Sequence, residues 1–346
     1  MSSFPLTPAL ATIAQAHRLP GLAVATHWQA TASALTYGHA ALEPLTPLSA
    51  DTVFPLGSIT KTVTATLCVM LAERGHLDLD APVQSILADF RVADPGVSRH
   101  VTTRHLLTHT AGFDAQAPTP PLPQDAALAE AVAALHLAPQ RTPVGEYSYA
   151  DVNHLVAGRI IEVLTGQPYE QAAHRLLLGP LGLRSARFLH ASEEEGTTTA
   201  RGYTKTLDGR WQPYAGVMYG RYIAPTGGLC LSVSDTLQYL TFVLRGGVTA
   251  HGQRLLGEEA LAELVTPRLR TPRGDGVTLA WVMTGEAGTG LLQQRCSFGG
   301  INGVAFVAPE RQFAGVIFNN AFHGLRAQTQ VMQLLLKQLP AEGPGA

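Results

Sequence analysis

The sequence predicts an α/β (α+β) protein in which an antiparallel sheet, assembled from both ends of the chain, is covered by helices and carries an inserted, mainly helical lobe. Three observations lead there. Short runs of small and β-branched residues stand near both termini, helical periods fill the middle, and 46% hydrophobic against 14% charged residues suits a compact core.

In chain order, a helix is expected near residues 7–17, followed by strands over Gly21 to Trp28 and Ala34 to Ala40 that read as a hairpin. Asp51 to Gly57 carries the proline and glycine of a turn, and a strong helix runs from Ser58 to about Arg74, ended by Gly75. Helical periods and loops dominate Asp78 to about Gln167, with a proline-rich connection over Ala117 to Gln124. Further helices are expected over Asp151 to Leu164, Tyr169 to Leu178, Ser234 to Leu244 and Gly257 to Thr266. Strands then return over Thr278 to Thr284, Gln294 to Phe298, Gly303 to Ala308 and Phe313 to Asn319, before a last helix from about Leu325 to Gln338. This reads as one catalytic domain over 1–346, with an α/β lobe from about 1–57 and 228–346 and a helical lobe over about 58–227.

Composition narrows the function. With 24 Lys+Arg against 26 Asp+Glu and no basic run, a nucleic-acid binder is excluded, and small molecules or short peptides are the expected partners. No apolar run approaches the roughly 20 residues of a membrane span, and the first residues lack the pattern of a secretory leader, so a cytoplasmic protein is expected. Cys68, Cys230 and Cys296 are too few and too scattered for a disulfide framework and read as buried thiols. His105 and His109, four apart, lack a carboxylate partner and read as structural, so neither metal nor cofactor is expected.

The chemistry centres on Ser58-Ile59-Thr60-Lys61. Residues three apart on a helix share a face, so the hydroxyl and the amine meet. A serine hydroxyl needs a base to become a nucleophile, a partly buried lysine can serve, and the helix start favours developing negative charge. Alone, a serine at a helix start with a lysine one turn later is a common structural arrangement. A second group is Tyr147-Ser148-Tyr149-Ala150-Asp151 at a loop-to-helix boundary, where a tyrosine near an ammonium can act as a general base. A third is Phe298-Gly299-Gly300-Ile301-Asn302-Gly303, which reads either as a glycine-rich turn or as a segment placing the Ile301 N–H opposite the Ser58 N–H, the two donors of an oxyanion site.

Together these segments resemble the serine β-lactamase and penicillin-binding-protein superfamily, in the branch of class C β-lactamases, D-aminopeptidases and family VIII esterases. The resemblance extends over nearly the whole chain. Leu106-Leu107-Thr108-His109-Thr110-Ala111-Gly112 is similar to the branch's LLTHTSG signature, and Gly75 to Val83 and Thr226-Gly227-Gly228-Leu229 through Asp235 match further stretches. It implies a β-lactamase/transpeptidase-like fold, with Ser58 as nucleophile, Lys61 as its lysine and Tyr149, chosen over Tyr147 by register, as the tyrosine of a Tyr-x-Asn motif. Asp151 replaces the asparagine, a charge expected to keep Lys61 protonated. Phe298-Gly299-Gly300 replaces Lys-Thr-Gly or His-x-Gly, so the cation that holds a substrate carboxylate is missing and neutral acyl groups are the expected substrates. The expected function is a Ser58 acyl-enzyme acting on a small ester or amide. A D-amino-acid peptidase or weak β-lactamase is the alternative, and a non-catalytic binding or scaffold protein the reading of another class. The Ala191 to Tyr222 region is expected to border the cleft.

Overall fold

The computed structural model describes residues 7–114, 127–189, 198–216, 220–285 and 290–339. The proline-rich stretch at 117–124 and the acidic run Glu193-Glu194-Glu195 lie outside them.

A nine-stranded antiparallel sheet organises the molecule. Its strands are β1 (Gly21–Trp28), β2 (Thr31–Leu42), β3 (Leu45–Pro47), β4 (Leu269–Arg270), β5 (Gly276–Val277), β6 (Val282–Thr284), β7 (Leu291–Phe298), β8 (Ile301–Ala308) and β9 (Phe313–Asn319). They lie side by side as β3-β2-β1-β9-β8-β7-β6-β5-β4, so the first and last strands of the chain are neighbours, with Val24 opposite Ile317. Successive side chains of a strand point to opposite faces, and both faces here are covered. Val304, Phe306 and Ile317 pack with the terminal helices α1 (Thr7–Ala16) and α5 (Leu325–Gln338), while Ala305, Val307, Val316 and Phe318 join the main core. Two covered faces explain why β8 and β9 read as continuous apolar runs.

Two expectations were too coarse. The single strand expected over Thr278 to Thr284 is interrupted, because Ala280 takes a left-handed φ of 68° and the Thr278 N–H closes a turn onto the Trp281 carbonyl at 3.0 Å. The helix expected over Tyr169 to Leu178 is α-helical only to Ala173 and continues as a π turn over His174–Leu178. Two small sheets were not expected: Val53–Pro55 and Arg187–Phe188 on either side of Leu229–Ser232, and Tyr203–Lys205 against Trp211–Pro213.

The helical lobe is built on α2 (Thr60–Glu73), buried from Thr60 to Leu71 although Thr60, Lys61, Thr62, Thr64 and Thr66 are polar. A buried polar group costs free energy unless paired, and here each threonine hydroxyl is placed. Thr62 and Thr66 donate back to carbonyls of the preceding turn, at 2.8 Å each. Thr64 meets the Tyr169 hydroxyl at 2.6 Å, Thr66 that of Tyr239 at 3.1 Å, and the Thr60 hydroxyl accepts from the Leu229 N–H at 3.3 Å. These bonds tie α2 to the short helix Tyr169–Ala173, to α4 (Val233–Leu244) and to the strand Leu229–Ser232, while α3 (Val152–Thr165) and the short turn over Ala224–Gly227 pack against it. Among the described residues, no helix is long and apolar enough to cross a membrane.

Candidate active site

Ser58 lies in a single 3-10 turn, Gly57–Ile59, that leads into α2. The preceding strand is tied to Leu229–Ser232, and the Leu56 N–H donates to the Leu229 carbonyl at 2.8 Å, so the turn starts from a fixed point. Gly57 then bends the chain with a φ of 48°, where any side chain is strained. A Cβ on Gly57 would also stand 2.9 Å from Cys296 Sγ and 3.0 Å from Phe298 Cβ. Gly57→Ala is therefore expected to cost at least about 1 kcal/mol through the left-handed backbone alone and to push Ser58 away from β7. Thermal melting should register the first effect, and slower labelling of Ser58 by a serine-directed probe the second.

Around Ser58 the polar groups converge. Its Oγ is 2.7 Å from the Tyr149 hydroxyl and 3.0 Å from Lys61 Nζ. Lys61 is only 1% exposed, and its Nζ also donates to the Thr226 carbonyl at 2.9 Å and pairs with Asp151 Oδ1 at 2.8 Å. An ammonium has three donors, and three acceptors surround it. Burial alone would lower the lysine's proton affinity, but Tyr149 and Asp151 more than reverse this and its pKa is raised. Burial likewise pushes the Asp151 carboxyl up, and the Lys61 ammonium brings it below the usual carboxylate range. Lys61 and Asp151 thus stand as an ion pair, with the aspartate side chain 49% exposed at the mouth of the cleft. Thr226 anchors both partners, since its hydroxyl donates to the Asp151 carbonyl at 3.1 Å.

The cleft over Ser58 holds ≈ 80 Å³ and is lined by Gly57, Lys61, Asp151, Ile223, Thr226, Gly227, Ser297 and Phe298. Larger cavities of ≈ 390 Å³ beside Asp51 and Arg187 and ≈ 440 Å³ beside Leu87 and Phe90 lie elsewhere. Chemistry rather than volume selects the site, because Ser58, Lys61 and Tyr149 meet at the small cleft.

One expected site residue needs correction. Ile301 does not face Ser58: it is 1% exposed in the main core and pairs with Phe298 across a two-residue turn. Gly299 and Gly300 occupy that turn with φ of 58° and 80°, as the tight hairpin type with two positive φ values requires. The pair flanking such a turn exchanges its backbone hydrogen bonds, so the Ile301 N–H is used inside the hairpin. Parity then turns the N–H of Ser297, opposite Asn302, away from β8, on the edge that β6 leaves uncovered because its pairing ends at Gln293. Ser297 lines the Ser58 cleft; sequence reading missed it. The signal was present, since a Gly-Gly turn sets which neighbours point outward.

The remaining residues also have places. Gly300 is held close to the Tyr214 segment, where a Cβ would meet Tyr214 Cβ at 2.7 Å, but among the described residues of this part of the chain the cleft lining begins only at Ile223, just past the Ala191 to Tyr222 region expected to border it. The thiols of Cys68, Cys230 and Cys296 are buried. His105 closes the capping box of the helix Thr103–Leu107. His109 and His154 are buried against each other with ring centroids 5.1 Å apart.

Burial, and then the Lys61 charge, lowers His109 to about 3; burial followed by His109 and Lys61 takes His154 well down. Both rings are neutral in the fold, whereas in the unfolded chain they take up protons below about pH 6.5. Their contribution to stability is complete above that pH and is lost as pH falls toward the folded values. At about pH 4.5 His109 alone costs about 2–3 kcal/mol. The urea midpoint should therefore fall between pH 7.5 and 4.5, and equal midpoints would show that the rings accept protons without unfolding.

Comparison with known proteins settles the family. The Beta-lactamase family model matches residues 7–337. The chain belongs to the Beta-lactamase family. It is 32% identical to penicillin-binding protein 4 of Amycolatopsis lactamdurans over 249 residues, 71% of this chain and 65% of that protein. It is 35% identical to esterase EstB of Burkholderia gladioli over 163 residues, 43% of this chain and 41% of the esterase. Each match spans less than two thirds of the relative's own length. Among solved structures, EstCE1, described as a hydrolase with promiscuous acyltransferase activity, superposes with a TM-score of 0.81 at 20% identity, covering 95% of this chain and 97% of that one. The β-lactamase/transpeptidase-like fold read from the sequence is thereby established.

Proposed function

We propose that this family member is a serine acyl-transfer enzyme of the esterase type, working through an acyl group on Ser58. The observation that carries the reading is the Ser58 hydroxyl held 2.7 Å from a phenol and 3.0 Å from a buried ammonium. With its donors taken up and its pKa raised, Lys61 is poorly suited to be the base. Tyr149 is better placed: acting in its deprotonated, phenolate form beside the Lys61 ammonium, its oxygen takes the Ser58 proton as Oγ bonds to the substrate carbonyl carbon, while the Lys61 charge stabilises the negative charge that moves through the group. The N–H groups of Ser58 and Ser297 are the donors for the oxyanion. Collapse of the tetrahedral intermediate expels an alcohol or amine, which takes its proton from Tyr149. Water, activated by the phenolate so regenerated, then releases the acid, or an acceptor alcohol or amine takes the acyl group.

The substrate reading follows from charge. The ammonium nearest the reacting serine is neutralised by Asp151, and Phe298 presents an apolar wall, so the site favours acyl donors without a carboxylate. A second reading, a peptidase or amidase acting on amino acids of D configuration, is favoured by one feature: the exposed part of the Asp151 carboxylate can receive a substrate ammonium. The intact Ser58–Lys61–Tyr149 group speaks against a purely non-catalytic role. The test combines a fluorophosphonate probe, with mass spectrometry of the Ser58 peptide, and turnover of short-chain p-nitrophenyl esters, a D-alanyl anilide and a chromogenic cephalosporin. Labelling at Ser58 with ester turnover ahead of the other two is expected. Preferred cleavage of the D-alanyl anilide would establish the second reading, and an unlabelled, inactive but folded protein would overturn both.

A further inference from the structure

Tyr149 sits on a segment without regular secondary structure just ahead of α3, yet its hydroxyl must hold one position to exchange a proton with Ser58. What holds it is His109, which the mechanism above does not use. His109 follows the short helix Thr103–Leu107 and takes a left-handed φ of 55°, uncommon for a residue with a side chain but more frequent for histidine than for most. That turn directs its backbone and its ring toward the same segment. The His109 carbonyl accepts the Ser148 N–H at 2.8 Å. Its Nδ1 accepts the Ala150 N–H at 3.2 Å and the Asn153 amide at 3.1 Å. Its ring lies 4.4 Å from the Tyr149 ring, inclined by 30°. The residues before and after Tyr149 and the phenol ring itself are thus all met by one histidine.

The acceptor role determines the tautomer. Two donors at Nδ1 leave the proton on Nε2, and the ring must stay neutral, because a proton on Nδ1 would displace the Ala150 N–H. The environment enforces neutrality: the ring is buried, Lys61 supplies a nearby positive charge, and the facing His154 is itself buried, with Asp151 the opposing acid.

We propose that His109 is the positioning residue of Tyr149, a clamp on both flanking amides and on the ring that keeps the phenol oxygen in line with Ser58. The inference rests on the reading of Tyr149 as the proton acceptor. Displacing a catalytic group by about an ångström can cost two orders of magnitude in rate, so the clamp should be visible in kcat.

The test uses the full chain and three variants: His109→Phe, which keeps a ring but no acceptor, His109→Asn, whose Oδ1 can stand near the position of Nδ1 and which tolerates the left-handed turn, and Tyr149→Phe. Expected for His109→Phe is a loss of about thirtyfold or more in kcat for a p-nitrophenyl ester, with KM within about threefold and a displaced midpoint in the pH–kcat profile. His109→Asn should recover part of it, leaving a loss of about threefold to tenfold from the parent. A folded His109→Phe protein with parental kcat and pH profile would overturn the proposal, as would equal losses in both variants with an unmoved profile, the signature of a structural role. If His109→Phe does not fold, the asparagine variant decides: a loss of about threefold to tenfold with unchanged KM and a displaced midpoint supports the clamp, and parental kcat overturns it. The tyrosine variant separates the failures. Parental kcat in Tyr149→Phe removes the reading of Tyr149 and the clamp with it, whereas an inactive Tyr149→Phe beside unaffected His109 variants removes the clamp alone.

Discussion

Ser58→Ala is expected to abolish the covalent adduct on the Ser58 peptide and to lower kcat by about 10⁴-fold or more, the scale on which loss of the nucleophile disables a serine enzyme. The fold should survive. Alanine loses one oxygen from a residue at the edge of a cleft, and Lys61 keeps two of its three partners, the Thr226 carbonyl and Asp151. Circular dichroism and the urea midpoint should therefore stay close to those of the parent, within about 1 kcal/mol. Retained turnover, or a probe adduct that moves to another serine, would place the chemistry elsewhere and end the proposed mechanism.

Tyr149→Phe is the second large effect. It removes the oxygen 2.7 Å from Ser58 while leaving the ring that packs 4.4 Å from His109, so lost activity cannot be ascribed to lost packing. A positioned general base contributes about 10²–10⁴ in rate, and a drop in kcat of that size is expected with KM little changed. Labelling by the fluorophosphonate should slow in parallel, because the same proton must leave Ser58. Adding Lys61→Met to this variant should cost much less than Lys61→Met does in the parent, since the ammonium then has no phenolate to stabilise. Full additivity of the two changes would show that lysine and tyrosine act on separate steps.

The two ends of the candidate site differed in how plainly they could be read. Ser58 and Lys61 are one helical turn apart, and any sequence that makes α2 a helix brings them together, because the period of 3.6 residues is a local property. The burial of Lys61 was also visible in outline, since apolar residues follow it along the helix. The partner that saturates it was not: the Thr226 carbonyl is 165 positions away, and only the packing of the Ala224–Gly227 turn on α2 brings it to 2.9 Å. Tyr147 and Tyr149 have the same local character, and the choice between them is made by the His109 contacts at Ser148 and Ala150, across 39 and 41 residues. Ile301 was a parity error rather than a failure of reach. Once Gly299 and Gly300 are taken as a two-residue turn, the alternation along β7 directs Ser297 and not Ile301 to the free edge.

By itself, then, the sequence determined the elements and their near neighbours: the sheet strands at both chain ends, the helix that joins a hydroxyl to an amine, and the glycines that only tight turns accept. Tertiary structure alone decided which carbonyl, carboxylate and phenol gather round that pair, and which strand edge faces it. The reason is physical. Hydrogen-bond periods and turn angles act over a few residues and are written locally. The meeting of groups a hundred or more positions apart depends on how buried surfaces of helices and sheet fit together, which no short stretch of sequence contains.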